Sequence, residues 1–453
     1  MKTLDIINAV RPTERQLRWQ ELEFTAFLHY GINTFTGREW GDGREDPQLY
    51  DPRDLDTDQW CEVLLSAGIK ACIITAKHHD GFCLFESAHT GYGVMASGKP
   101  ADVVAELARS CRKYGLKLGV YLSPWDRNSP VYGSGAAYDD YFCAQLEEIT
   151  TKYGELYSLW FDGACGEGPK KQVYDWARYY AVIRKNQPNA VIAVCGPDVR
   201  WIGNEAGFTR PSEWSVVPAR LAESESVARR SQTADNSAFR ELPISSEDVD
   251  LGSLERLTKE IEAGGELIWY PAEVDVSIRP GWFYHKHEDE KVRSVENLLE
   301  IYEKSVGGNA VLLLNIPPDT AGRISEPDAK RLAELGERIR EIYGKDLFID
   351  CEVEKRAAGK IIITPEKPLT LTHLVLSEDI SQGQRVEKFE VFADEAKIYT
   401  GTTIGYKKIC RFEAVSARCF TVCINETRAE PIIKQISGHS DPVEVSDGLL
   451  LGN

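Results

Sequence analysis

The chain has 453 residues, 42% apolar and 27% charged, the profile of an ordinary globular protein that exceeds a typical single core. A net charge of -18 excludes nucleic acid and anionic membrane surfaces as partners, because both need a basic footprint. The opening residues MKTLDIINAVRPTERQ lack the apolar run of a secretory signal, and no later stretch is long and apolar enough to cross a bilayer. Eleven scattered cysteines without a C-x-x-C pair favour reduced thiols over a disulfide framework or a zinc site. The expected location is therefore the cytosol, or outside the cell if a signal has been removed.

The first two-thirds alternates β-like runs with helical patterns, which predicts a parallel sheet with crossover helices. Candidate strands are Phe24–Gly31, Ala71–His78, Leu116–Ser123, Leu156–Gly163, Ala190–Gly196, Leu267–Tyr270 and Ala310–Asn315. Between them lie helical candidates at Asp58–Ala67 and Asp102–Tyr114, each followed by a glycine C-cap. Asp139–Tyr153, Lys171–Asn186, Ser253–Ala263 and Ser294–Val306 follow the same logic. Seven such strands predict a (β/α)8 barrel with one strand irregular or missed. A doubly wound open sheet is the alternative, but no G-x-G-x-x-G follows the first strand.

The polar segment from Glu205 to Ser253 is long for a structureless loop and reads as an excursion at the active site. After a helix over Glu326–Tyr343, short alternating runs such as GKIIITP, THLVLS, EKFEVFAD and RCFTVCI predict an antiparallel β-sandwich. The expected division is 1–345 for the barrel and 346–453 for the sandwich, with Ser437–Asn453 as a partly loose tail.

Chemistry-bearing residues gather at the ends of the candidate strands. Asp162 ends the run LYSLWFDG, His29 ends the first strand, and Glu39-Trp40 stands in the loop beyond it. His78 and His79 end the second strand and Tyr121 the third. In a parallel barrel these ends converge on one mouth, where catalytic groups are placed. His78 and His79, as strand neighbours, are expected to point to opposite faces, and no further ligand spacing completes a metal site. Glycoside hydrolysis needs a second carboxyl, and Glu205 in GPDVRWIGNEAG stands beside Trp201, an apolar surface that can hold a raised pKa. Glu39, Asp42, Asp198, Glu213 and Glu273 compete for that role. The ten tryptophans and nineteen tyrosines, many at the ends of apolar runs, suit a sugar-binding cleft and a core equally.

Seven stretches in order resemble the α-L-fucosidases of glycoside hydrolase family 29: FLHYGINTFTGREWGDG, AKHHDGFCLF, GVYLSPWD, LWFDG, RWIGNEAG, WYPAEVDVSIRPGWFYH and LLLNIPPDTAGRI. The resemblance spans about 300 residues. It implies a (β/α)8-like barrel with a C-terminal sandwich, a fucosylated glycan as substrate, and neither metal nor organic cofactor. It also implies retention of configuration, with Asp162 as nucleophile and Glu205 as acid and then base. Retention would set the two carboxyls roughly 5–5.5 Å apart. His29, Glu39, Trp40, His78, His79 and Tyr121 match positions that hold the fucose hydroxyls and ring, and Trp282 would line the pocket beside the sugar methyl. The N-E-A-G form resembles the group that prefers α-1,3/4-linked fucose in Lewis-type glycans. A broad fucosidase, a retaining glycosidase for another sugar, and a sugar-binding protein on an inactive barrel remain as alternatives. The sandwich is expected to support the barrel.

Overall fold

The computed structural model describes residues 3–163, 170–224, 227, 249–356 and 359–445. In chain order the strands of the first part are β1 (Phe24–Leu28), β2 (Ala71–Lys77), β3 (Lys117–Leu122), β4 (Leu156–Phe161), β5 (Val191–Val194), β6 (Arg200–Trp201), β7 (Val216–Pro218), β8 (Leu267–Trp269), β9 (Ala272–Ser277) and β10 (Ala310–Asn315). Eight of them form one parallel sheet in the order β5-β4-β3-β2-β1-β10-β9-β6. The two edges meet at a parallel bridge between Ala193 and Val199, where the Val194 N–H donates to Val199 O at 3.0 Å, so the sheet curls into a barrel.

Most of these strands are buried along their whole length, which is why they read as continuous apolar runs. The exception explains the strand that was misplaced. Leu267–Trp269 is not in the barrel but pairs with β7 as an antiparallel hairpin. The barrel position belongs to β9, AEVDVS, fully buried on both faces despite two acids. Val274 and Val276 pack in the layer between barrel and helices, while Glu273 and Asp275 face the interior. The missing eighth strand is the two-residue β6, too short to leave a periodic signal, and no helix separates it from β5.

Several helices around the barrel start on side-chain caps. Asp56, Asp102, Asp175, Ser253 and Ser294 each accept from a first-turn N–H of the helix they precede, satisfying donors that a helix start leaves open. Gly115 takes φ +75° to end Val103–Tyr114 as expected. Helix Glu14–Gln20 carries Trp19 to the barrel floor, where it joins Leu22, Phe27, Ile73, Trp160 and Leu313 in the interior cluster.

The C-terminal part forms two antiparallel sheets from β11 (Glu352–Arg356), β12 (Lys360–Thr364), β13 (Leu369–Glu378), β14 (Val386–Ala393), β15 (Ala396–Gly401), β16 (Lys408–Ala417), β17 (Phe420–Thr427) and β18 (Ile433–His439). Their orders are β11-β12-β17-β14-β15 and β16-β13-β18. Between them lies a core that includes Leu374, Val391, Phe389 and Phe420. The segment read as a loose tail begins inside β18, since Ser437–His439 pair with β13, and 446–453 lie outside the described residues. Of the Glu205–Ser253 excursion, β7 and a short 3-10 turn at Ala219–Ala222 are ordered, while 225–226 and 228–248 also lie outside the described residues.

One buried charge cluster braces the barrel mouth. Arg279, just beyond β9, donates from Nε to both Asp328 oxygens at 3.0 and 2.8 Å and from Nη2 to Asp289 and Ser325. Its side chain and that of Asp328 are 0% exposed. Removing one partner strands the other charge in a low-dielectric site. Asp328→Ala should therefore cost about 3 kcal/mol in urea unfolding, and a loss below about 0.5 kcal/mol would contradict this reading.

Candidate active site

Alternation along β4 places Trp160 in the barrel interior, and the same phase carries Asp162, one residue past the strand, to the mouth. The Asp162 side chain is 24% exposed. The Tyr121 hydroxyl donates to its Oδ2 at 3.2 Å, and His79 Nε2 stands 3.5 Å from the same oxygen. Burial and the Asp162 charge push the Tyr121 pKa well up, so it remains a hydroxyl donor.

His79 faces this carboxylate, with His78 packed on His79 and His29 on His78, and hydrogen bonds assign the tautomers of His79 and His29. The Ser123 hydroxyl donates to Trp125 O at 2.7 Å, so it accepts from His79 Nδ1–H at 2.8 Å. That leaves His79 Nε2 with a lone pair facing the mouth. Asn315 spends its amide N–H groups on Ser277 Oγ and Trp282 O, so its oxygen accepts from His29 Nδ1–H at 2.8 Å. His29 Nε2 is thereby an acceptor too. Asn33 Nδ2 lies 3.4 Å from His78 Nδ1 and donates to Asp80 Oδ2 at 3.0 Å and to Glu39 O at 3.3 Å. Burial lowers His29 to about 3 and His79 to about 4 and holds His78 well below its ordinary value; neighbouring histidines add to the effect at His29 and His78, while at His79 the Asp162 charge opposes it and Arg127 adds to it. All three are neutral at physiological pH. Two imidazole acceptors and the Tyr121 hydroxyl at one mouth suit a row of sugar hydroxyls, which both donate and accept.

His78 and His79 were expected to diverge, as strand neighbours do. They lie just beyond the last paired residue of β2, the alternation no longer applies, and their ring centroids are 4.1 Å apart. His78 stacks on Tyr121, with centroids 5.7 Å apart and planes 19° from parallel. Trp40 meets His79 and Trp125 edge-on at 5.6 and 5.7 Å. Trp282 lies 5.2 Å from His29, adding a half-buried aromatic wall. Glu39 is the anchor of that wall. Its carboxylate accepts from the Trp282 N–H at 2.9 Å, from the Phe283 N–H, and from His285 Nε2 at 2.7 Å.

Glu205 sits on the loop that follows β6, half-buried. The loop is folded on fully buried Asn204, whose oxygen accepts from Ala206 N–H at 2.9 Å. Gly207 turns the chain at φ +92° against Ile301, where an added Cβ would come within 2.7 Å. Sequence reasoning did not single out Asp275. It lies inward on β9, 6% exposed, and accepts from Trp201 Nε1 at 2.6 Å. Burial first, and then the charge of Glu205, push its pKa well up. The alternation E-V-D-V-S was the only signal for it. Asn315 and Ser123, which orient the histidines, were also missed because neither residue type marks a site by itself.

The competing carboxylates are committed elsewhere. Asp198 accepts from the Ile192 N–H at 2.7 Å and pairs with Arg184 and Arg15. Glu213 pairs with Arg200 and Arg210, and Glu273 accepts from Trp160 Nε1 at 2.7 Å deep in the barrel, its pKa raised to about 7 by burial. Asp42 is half exposed beside Arg38.

The α-L-fucosidase family profile matches residues 44–344. Alpha-L-fucosidase 1 of Arabidopsis thaliana is 34% identical, over 95% of this chain and 87% of that one. Among solved structures, a protein of Bacteroides ovatus ATCC 8483 is 44% identical with a TM-score of 0.87, covering 98% of this chain and 76% of that one. A Ruminococcus gnavus GH29 fucosidase in complex with fucose is 27% identical with a TM-score of 0.79, covering 96% of both chains. With barrel, sandwich and a mouth carboxylate held between Tyr121 and His79 already in place, these likenesses have one meaning: the chain belongs to the α-L-fucosidases of glycoside hydrolase family 29, and it is a glycoside hydrolase.

Proposed function

We propose that this α-L-fucosidase removes terminal α-1,3/4-linked fucose from branched glycans with retention of configuration, using Asp162 as nucleophile and Glu205 as acid and base. The observation that carries the first role is the setting of Asp162. It is open to the mouth, and its Oδ2 is held by the Tyr121 hydroxyl. In the first step an Asp162 oxygen would bond to the anomeric carbon as the glycosidic C–O bond breaks. The leaving oxygen would take the Glu205 proton. In the second step Glu205 would accept a proton from water, whose oxygen displaces Asp162.

The histidines would bind sugar hydroxyls by the polarity their tautomers impose, and Trp40 and Trp282 would border the ring. Glu39 supports this role by fixing Trp282, and its own oxygens are already engaged by that loop. The raised Asp275 supports Glu205 as an acid. Burial and the Glu205 charge push Asp275 well up, so the two carboxyls stand close enough to share a proton between them. The linkage preference rests on the Asn204–Gly207 segment, whose N-E-A-G form is the narrow-specificity one.

Asp162→Ala should lower kcat on an aryl fucoside by about a thousandfold or more with an unchanged unfolding midpoint, and near-full activity would remove Asp162 from the mechanism. Release from Lewis-type trisaccharides should exceed release from α-1,2-fucosyllactose, whereas equal release would discard the linkage preference. With His79 near 4 and His29 near 3, both stay neutral above pH 5. KM should thus be flat from about pH 5 to 8 and climb below about 4 as they take protons, while a KM rise centred near 6.5 would show histidines of ordinary pKa in the site.

A further inference from the structure

We propose that Gln384, in the sandwich, is a positioning residue for Glu205, so that the second domain sets the catalytic acid of the first. The inference rests on Glu205 acting as the acid. Gln384 is 3% exposed and uses both ends of its amide across the domain boundary. Its Nε2 donates to Glu213 O at 3.0 Å, and its Oε1 accepts from Ser215 N–H at 3.0 Å. Asn309, at the start of β10, donates to the same Glu213 oxygen at 3.0 Å and accepts from the Tyr406 N–H of the sandwich at 2.7 Å.

From Glu213 the path runs directly to the acid loop. The Glu213 carboxylate, 1% exposed, accepts from Arg210 N–H at 3.1 Å and from Arg210 Nη1 at 3.3 Å, and pairs with Arg200 of β6. Arg210 Nη1 also donates to Ile202 O at 3.0 Å, three residues before Glu205. On the far side of the loop, Thr209 Oγ1 donates to Lys304 O at 3.0 Å, and the sandwich Thr402 donates to Pro211 O at 2.8 Å. Residues 200–215 are therefore clamped between β9, helix Val295–Ser305 and the sandwich, with Glu205 in the middle of the clamped segment. The ordinary support of a barrel needs only apolar contact. A buried amide satisfied at both ends on the backbone flanking the acid loop fixes a position as well, because such a group tolerates little displacement.

An acid that is misplaced fails selectively. Leaving groups of high pKa need its proton, whereas a dinitrophenolate departs without it. The test is kcat/KM for Gln384→Ala on aryl fucosides from dinitrophenyl to unsubstituted phenyl, with Glu205→Gln and the surface variant Lys397→Ala measured in parallel. The expected result is a loss of about tenfold on the phenyl fucoside and less than about twofold on the dinitrophenyl one, a smaller version of the Glu205→Gln pattern. Lys397→Ala should leave the series unchanged. Thr402→Val, which removes only the outer bond to Pro211, should steepen the series more weakly and serves if Gln384→Ala does not fold. A uniform loss across the series, or none, for both sandwich variants would overturn the proposal while Glu205→Gln still steepens it. If Glu205→Gln itself shows no dependence on the leaving group, the acid is another residue, and this proposal falls with that assignment.

Discussion

Closing the parallel ring between β5 and β6 is the constraint on which the site depends. Five residues separate the end of one strand from the start of the next, too few for a helix. Asp198 makes the turn possible. Its carboxylate accepts from the Ile192 N–H, its own N–H reaches Ile192 O, and its backbone oxygen accepts from Gln16 at 2.8 Å. Arg15 and Arg184 neutralise the charge this buries. With the turn made, β6 pairs in register with β9, Arg200 opposite Ala272 and Trp201 opposite Glu273. The loop that carries Glu205 then leaves the barrel two strands from Asp162 and close enough to Asp275 for the Glu205 charge to raise its pKa.

The mouth that results is electrostatically simple. Three histidines that would be half-charged near pH 6.5 in water are neutral here, because burial makes an imidazolium costly, and a histidine neighbour adds to that cost at His29 and His78 as Arg127 does at His79. Their neutrality leaves lone pairs on His29 Nε2 and His79 Nε2. Under the proposed function, tautomers rather than charges would carry the recognition of hydroxyls, and Asn315 and Ser123 set those tautomers from behind. The same economy governs the loop of Trp282, held by Glu39 on one side and by the buried Arg279 cluster on the other.

Much of this was legible in the sequence, and the failures have physical reasons. The apolar runs of β1 to β5 and β10 read as buried strands because a parallel sheet covered on both faces demands them. LWFDG marked Asp162 as a candidate, although an Asp-Gly pair suits a turn as well, and only the convergence of strand ends and the family resemblance singled it out. AEVDVS was illegible as a barrel strand because its inward face is acidic, and a barrel interior that hosts chemistry breaks the apolar rule. LIWY took its place because it has the right composition, but Val216–Pro218 supplies it an antiparallel partner. β6, two residues long, owes its existence to tertiary pairing alone. The reach of Gln384 across 171 residues to Glu213 could not be read from any local pattern.

The measurement that tests the account most directly is proton NMR of the first turnovers on an α-fucoside, before the free sugar mutarotates. A carboxylate that attacks and is then displaced inverts twice, so fucose should appear first as the α-anomer, with the β-anomer growing in at the rate of uncatalysed mutarotation. Fucose that appears first as the β-anomer would mean a single displacement by water. Asp162 would then be a base rather than a nucleophile, and the two-step mechanism built on it would be contradicted.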